Sequence, residues 1–329
     1  MANTDQKKLE EFELIHWIQQ QAGSGEHLSL GIGDDCSIQP QKAERDLLTS
    51  VDLLIEDIHF KRQWTNMFDL GRKSAAVNIS DIAAMGGTPL SLFLGIGRPR
   101  TISDSEIKEF LSGFLTEAKT YGVVLTGGDS CASPGPLMIS VTVQGEAASG
   151  EAICRQGASY GDAIYVSGSL GDSALALHQL QQGQQPDPFL NQRFHTPAPQ
   201  VPLGQELAKR HLATAMLDVS DGLLADLGHI LDASEVGAEL NLSEIPLSTP
   251  FKKALASDAT LIDFALAGGE DYELVFTSPL KDLDQLINLP HVVTRIGSIS
   301  QKSGLRIRHS NGDLYHCQRG GFDHFNRQR

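Results

Sequence analysis

"TAMLDVSDGLLADLGHILDAS", residues 214 to 234, reads as a strand, a turn and a helix in immediate succession. The apolar run ahead of Asp218 suits a buried strand. Asp218, Ser220, Asp221 and Gly222 are turn formers for local backbone reasons, and the Leu and Ile residues after them return at helical spacing. The same habit of an acidic turn beside a strand recurs in "GIGDDCSI" (31–38), "TSVDLL" (49–54) and "LTGGDS" (125–130). Strands alternate with helices in both halves of the chain, so each half is expected to be an α/β or α+β sandwich.

Outward from that stretch, the pattern predicts a helix over 7–21 and a strand in "DLLTSVDLLI". A helix over about 68–85 should end at Gly86-Gly87. Ser103 and Glu106 form a capping box, and Ile107, Phe110, Leu111, Phe114, Leu115 and Ala118 make an apolar stripe behind it. At 147–161, "AASGEAICRQGASYG" is small and turn-prone, which puts a domain boundary at its start and gives domains 1–147 and 148–329. "QQGQQPDPF" (181–189) reads as an exposed loop, followed by the helix "LGQELAKRHL".

The 329 residues carry 26 Lys plus Arg against 41 Asp plus Glu, a formal charge of −15. That balance argues against a nucleic acid or an anionic membrane as partner. Cys36, Cys131, Cys154 and Cys317 form no C-x-x-C pair, the N-terminus lacks the apolar core of a signal peptide, and no apolar run approaches the roughly 18 residues of a membrane span. A reduced, cytoplasmic protein with free thiols is expected.

Collected, the acidic turns contain Asp34, Asp35, Asp52, Asp81, Asp129, Asp218 and Asp221. Asp52 interrupts an aliphatic strand, and Asp81 lies in an Ala/Ile helix with Asn78 pointing the same way. Singly, each reads as a turn or cap residue. As a set in glycine-rich surroundings they point to a bound cation, because a buried carboxylate is costly unless paired or metal-bound. Carboxylates without a His or Cys cluster suit Mg²⁺, and flanking glycines would let backbone N–H groups approach phosphate. No glycine turn runs on to Lys-Ser or Lys-Thr, and no H-R-D or D-F-G signature appears, so neither a Walker A loop nor a protein-kinase site is present.

"GIGDDCSI", "NISDIAAMGGTP", "LTGGDS", "CRQGASYGDAIYVSGSLGDS", "LDVSDGLLADLGHI", "GGEDYELVF" and "GGFDHF" together resemble the thiamine-monophosphate kinase family. Its superfamily also holds aminoimidazole ribonucleotide synthetase and selenophosphate synthetase. The resemblance runs from about residue 12 to 325. It implies a two-domain aminoimidazole ribonucleotide synthetase-like α/β (α+β) fold. The N-terminal domain would dimerise into a barrel-like sheet and bind ATP and Mg²⁺; the C-terminal α/β sandwich would complete the nucleotide and substrate site. The implied reaction passes the γ-phosphoryl group of ATP to thiamine monophosphate, the last step toward thiamine diphosphate.

By position, the resemblance implies several Mg²⁺ ions on Asp35, Ser50, Asp52, Asp81, Asp129, Asp218 and Asp221, with Asp129 and Asp218 catalytic. Gly128, Asp129, Arg155 and Ser220 match nucleotide-contacting positions; His59, Glu270 and Phe322 match substrate-contacting ones. Val51 and Phe322 depart from the family's usual Thr or Ser and Trp or Tyr. The chemistry is coherent, since a phosphate monoester with a second pKa of about 6 is its own nucleophile and needs no base. A carboxylate and an aromatic face suit the cationic thiazolium. On the residues alone, Glu270 also reads as a surface turn, Phe322 as terminal packing, and Arg155 as a loop charge. Another superfamily acceptor and a non-catalytic Mg-nucleotide sensor stand as competing readings.

Overall fold

The computed structural model describes residues 11–23, 39, 42–279 and 292–319. It divides into two compact units: Met1–Asn78 with Pro89–Glu146, and Ile79–Thr88 with Ala147–Arg329. The first contains α1 (Glu11–Ala22), β1 (Arg45–Ile55), most of α2 (Met67–Ala84), β2 (Thr88–Pro99), α3 (Asp104–Thr120), β3 (Val124–Ser133) and β4 (Met138–Ala148). The strands line up as β1-β4-β2-β3, with β2 and β3 parallel. A parallel pair needs a long crossover, and α3 supplies it. Its expected capping box is present, and Ile107, Phe110, Leu111, Phe114 and Ala118 are buried, whereas Leu115 is only half-buried. Glu117 is buried on the same helix and receives Arg72 Nε at 2.8 Å.

On β1 the alternation expected of a half-covered strand is explicit. Leu48 and Leu54 are buried with Ser50 and Asp52 half-buried between them, while Leu47, Val51 and Leu53 are exposed. α2 stops where the glycine pair was expected, with Gly87 N–H on Ile82 O and Gly86 N–H on Ala83 O.

The second unit holds β5 (Ala163–Ser167), α4 (Asp172–Gln181), α5 (Pro188–His195), α6 (Val201–Lys209), β6 (Ala215–Asp218), α7 (Leu223–Ser234) and β7 (Gly237–Asn241). It continues with α8 (Thr249–Leu255), α9 (Ile262–Ala267), β8 (Leu274–Ser278), β9 (Val293–Ser300), β10 (Gly304–Arg308) and β11 (Leu314–Tyr315). The sheet order is β11-β10-β7-β9-β5-β8-β6, antiparallel except for the β7–β10 pair.

Strand alternation sends side chains to two cores. Ile164, Val166, Ala215, Leu217 and Val275 join Leu175, Leu190, Phe194, Leu223, Leu227 and Ile230. Ala163, Tyr165, Met216, Leu274 and Phe276 join Leu203, Leu207 and Ala84. The sheet is covered on both faces, so its strands read as continuous apolar runs. Among the described residues, no helix is long and apolar enough to cross a membrane.

One expectation is corrected. "QQGQQPDPF" is exposed as expected except at Pro186, but its last two residues, Pro188 and Phe189, open α5. Asp187 Oδ1 accepts the Phe189 N–H at 2.9 Å and Pro188 takes the first helical position, where a missing N–H costs nothing. The run of glutamines and prolines hid a helix held by Leu190 and Phe194, one turn apart.

Candidate active site

In the second unit, β6 delivers Asp218 to a turn that is closed from below. Asp226, in the first turn of α7, accepts the N–H groups of Ser220, Asp221 and Gly222 on one oxygen, each at 3.0 Å. Burial, and then the Asp221 carboxylate, push the Asp226 carboxyl up to about 7, against the three amides that favour its ionised form. Gly222 completes the turn at φ +114, and a Cβ there would stand 2.7 Å from the Ala267 carbonyl carbon.

Three successive amides aimed at one point form an anion nest. Here the chain's own carboxylate fills it, so the expectation of glycine-flanked amides open to phosphate is corrected at this turn. What the turn offers outward is side chains: Ser220 and Asp221 are half-buried, and Asp218 is buried. Asp218 Oδ2 accepts the Ser80 hydroxyl at 2.6 Å, which ties β6 to the α2 residue beside Asp81. Arg155 is exposed, on a loop whose Gly157 and Ala158 amides donate to Ser234 Oγ at 3.1 and 3.2 Å.

The "GGEDYE" loop extends the β6–β8 pairing past its last rung. Val219 N–H reaches Glu273 O at 2.7 Å, Tyr272 N–H reaches Val219 O at 2.9 Å, and Glu270 N–H reaches Ser220 O at 2.8 Å. Glu270 and Tyr272 hold left-handed φ values of 68° and 51°, a costly backbone for side chains other than Gly. Asp271 and Glu273 are buried and alternate with the half-buried Glu270 and Tyr272. Burial pushes the Asp271 carboxyl up to about 8 in spite of the nearby Arg193 charge.

In the first unit, Ser50 and Asp52 share the half-buried face of β1. The turn after β1 is closed by His59, whose Nδ1 accepts the Ile55 N–H at 3.0 Å. In the neutral ring the proton therefore sits on Nε2. Gly128 pairs with Leu94 in the β2–β3 ladder, and a Cβ on it would meet Leu94 O at 2.1 Å. No other residue fits that approach. Asp129 beside it is exposed and accepts the Ser130 N–H at 2.8 Å. Asp34, Asp35, Cys36 and Phe322 lie outside the described residues.

Asp52 and Asp129 thus belong to the first unit, and Asp81, Asp218 and Asp221 to the second. Among the described residues, no group of three or more His, Cys, Asp or Glu is assembled that could hold a metal ion. The donor chemistry nevertheless fits a hard cation. The candidates are oxygen ligands, and Asn78 Oδ1, one turn before Asp81 on α2, is buried with no hydrogen-bond partner among the described residues. A buried acceptor left without a donor is destabilising, and a cation is one remedy.

Two residue sets escaped the sequence reading. Asp226 carried one signal, an acid in the first turn of a helix whose N-terminus favours negative charge. The buried Asp172, Asp271 and Glu273, with Arg193 among them, carried none, because their relation is tertiary.

The chain has two parts, with aspartate turns at strand ends in both. Residues 33–147 match the AIR synthase related protein N-terminal domain, and residues 159–310 match the C-terminal domain. The Haemophilus influenzae thiamine-monophosphate kinase is 38% identical over 330 residues, covering 96% of this chain and 98% of that protein. The crystal structure of thiamine-monophosphate kinase from Stenotrophomonas maltophilia superposes with a TM-score of 0.83 at 38% identity, over 93% of this chain and 98% of that one. AaThiL complexed with AMPPCP and TMP superposes with a TM-score of 0.77 at 31% identity, over 96% and 97% of the two chains. The chain belongs to the thiamine-monophosphate kinase family.

Proposed function

We propose that this chain transfers the γ-phosphoryl group of ATP to the phosphate of thiamine monophosphate, in line, giving thiamine diphosphate and ADP. Residues 1–147 and 148–329 act as its two domains. The observation that carries the reading is the double clamp on the Val219–Gly222 turn, from Asp226 below and the Glu270–Glu273 loop beside it. Phosphoryl transfer is catalysed mainly by positioning and charge neutralisation, which a pre-set acidic turn serves and a loose one does not. AaThiL, similar over nearly the whole chain, was solved with AMPPCP and TMP.

In this reading Asp35, Ser50, Asp52, Asp81, Asp129, Asp218 and Asp221 would hold Mg²⁺, with Asn78 Oδ1 a further oxygen donor. When bound, the metal offsets the charge of two approaching phosphates. Gly128 brings the β3 backbone against the nucleotide, Ser220 presents its hydroxyl, and Arg155 supplies a guanidinium for phosphate oxygens. His59 offers its Nε2–H to the acceptor, Glu270 faces the thiazolium cation, and Phe322 supplies an aromatic face. The acceptor phosphate is dianionic at neutral pH, so none of these groups has to remove a proton.

ADP release from ATP is the test, measured with Mg²⁺ or excess chelator and with or without thiamine monophosphate. Release only with both Mg²⁺ and the acceptor supports the kinase; tight ATP binding without turnover would sink it in favour of a nucleotide sensor.

The working form is a homodimer built on the first unit. The exposed Leu47, Val51 and Leu53 of β1, a strand at the end of its sheet, support this, since an edge with an apolar face is a liability unless covered. Sedimentation of the full chain is expected to give the dimer mass, and Val51→Asp the monomer. A monomeric parent chain refutes it.

A further inference from the structure

We infer that Arg193 is a positioning residue for the acceptor substrate, acting through the Gly268–Glu273 loop; the inference rests on the reading of Glu270 as a substrate contact. Arg193 projects from α5 into a set of carboxylates drawn from the start of α4 and from the loop before β8. One of its terminal nitrogens donates to Glu273 Oε1 at 2.7 Å and to the Asp271 carbonyl at 3.1 Å. Its Nε stands 4.0 Å from Asp172 Oδ2. Asp172, Asp271 and Glu273 are all less than 5% exposed.

The rest of the set is already committed. Asp172 receives the hydroxyls of Ser169 and Ser248, Glu273 that of Ser167, and Asp271 Oδ2 the Gly171 N–H at 2.7 Å. Three buried carboxyl groups, Asp172, Asp271 and Glu273, thus gather around one guanidinium. Without Arg193 those buried carboxyl groups would lose the guanidinium placed among them, which favours movement of the loop.

The consequence for the site follows from alternation along the loop. Asp271 and Glu273 are held inward, so Glu270 and Tyr272 between and beside them are set outward. Both outward residues sit in left-handed backbone, which persists only where the surroundings over-determine it. Arg193, bonding both the Asp271 backbone and the Glu273 side chain, is such a surrounding. The neighbouring Ser220–Gly222 turn has its own anchor in Asp226. Loss of Arg193 is therefore felt first at Glu270 on the acceptor side, while the Ser220–Gly222 turn keeps its second clamp from Asp226.

Steady-state kinetics of the full chain, with ATP and thiamine monophosphate varied separately, test this for Arg193→Gln and Arg193→Lys. Arg193→Gln is expected to raise KM for thiamine monophosphate about tenfold or more, with KM for ATP within about twofold. Arg193→Lys keeps the charge and loses the fork, so about a threefold rise is expected. An unchanged acceptor KM, or an equal rise for both substrates, overturns the inference. If circular dichroism shows that Arg193→Gln does not fold, the Lys variant decides alone, and an unchanged acceptor KM there is the overturning result. A wild-type chain without acceptor-dependent ADP release overturns the functional reading, and this inference falls with it; an active wild type with indifferent variants overturns this inference only.

Discussion

Asp129→Asn is expected to cut thiamine monophosphate-dependent ADP release at least about a hundredfold while leaving the thermal midpoint within a degree or two. The stability half of the prediction follows from exposure: Asp129 is solvated and makes a local bond to the Ser130 N–H, which the amide oxygen of Asn reproduces. The activity half follows from charge. An amide is isosteric but neutral, and a site that brings two phosphates together loses most from a missing anionic metal ligand. Asp218→Asn is the buried counterpart, since its oxygen still accepts the Ser80 hydroxyl while the charge is gone. Normal turnover in the Asp129 variant would remove that residue from the proposed metal set.

Asp226→Ala is expected to damage fold and activity together, with a stability loss on the order of 3 kcal/mol and turnover reduced to background. Deleting the carboxylate strips the acceptor from three amides at once, in a place where Gly222 and Asp226 are buried. Asp226→Asn separates the two effects. Its amide oxygen can take the place of Oδ2 and accept all three amides, but without the negative charge, so the loss of stability should be smaller while the turn carrying Asp218 and Asp221 is still loosened. Denaturant unfolding alongside the ADP assay reads both. An Ala variant as stable as the parent would show that the nest is not a stabilising closure.

Legibility in the sequence varied with the range of the interaction. Ser103 and Glu106 announced α3 because a capping box is complete within four positions. The turn at 218–222 was legible for the same reason: strand, turn formers and helical spacing are all local. α5 was not, because its apolar contribution is Leu190 and Phe194 alone, set behind glutamines and prolines, and burial against α4 and α8 decides it. The acidic residues were legible as a set from their odd company of glycine and aliphatics. Their grouping was not, and Asp52 and Asp129 lie in one unit with Asp81, Asp218 and Asp221 in the other.

By itself the sequence determined the alternation of strands and helices, the acidic turns, and the oxygen-donor residues for which an Mg²⁺ and phosphate chemistry is proposed. Only the tertiary structure decided who fills the nest at 220–222 and what holds Glu270 and Tyr272 in left-handed backbone. The physical reason is separation along the chain. Arg193 and Glu273 are 80 residues apart, and Ser80 and Asp218 are 138 apart. Hydrophobic periods of two and 3.6 residues carry no information over such distances. A buried charge takes the partner that chain packing brings to it, and that partner is visible only once the chain has folded.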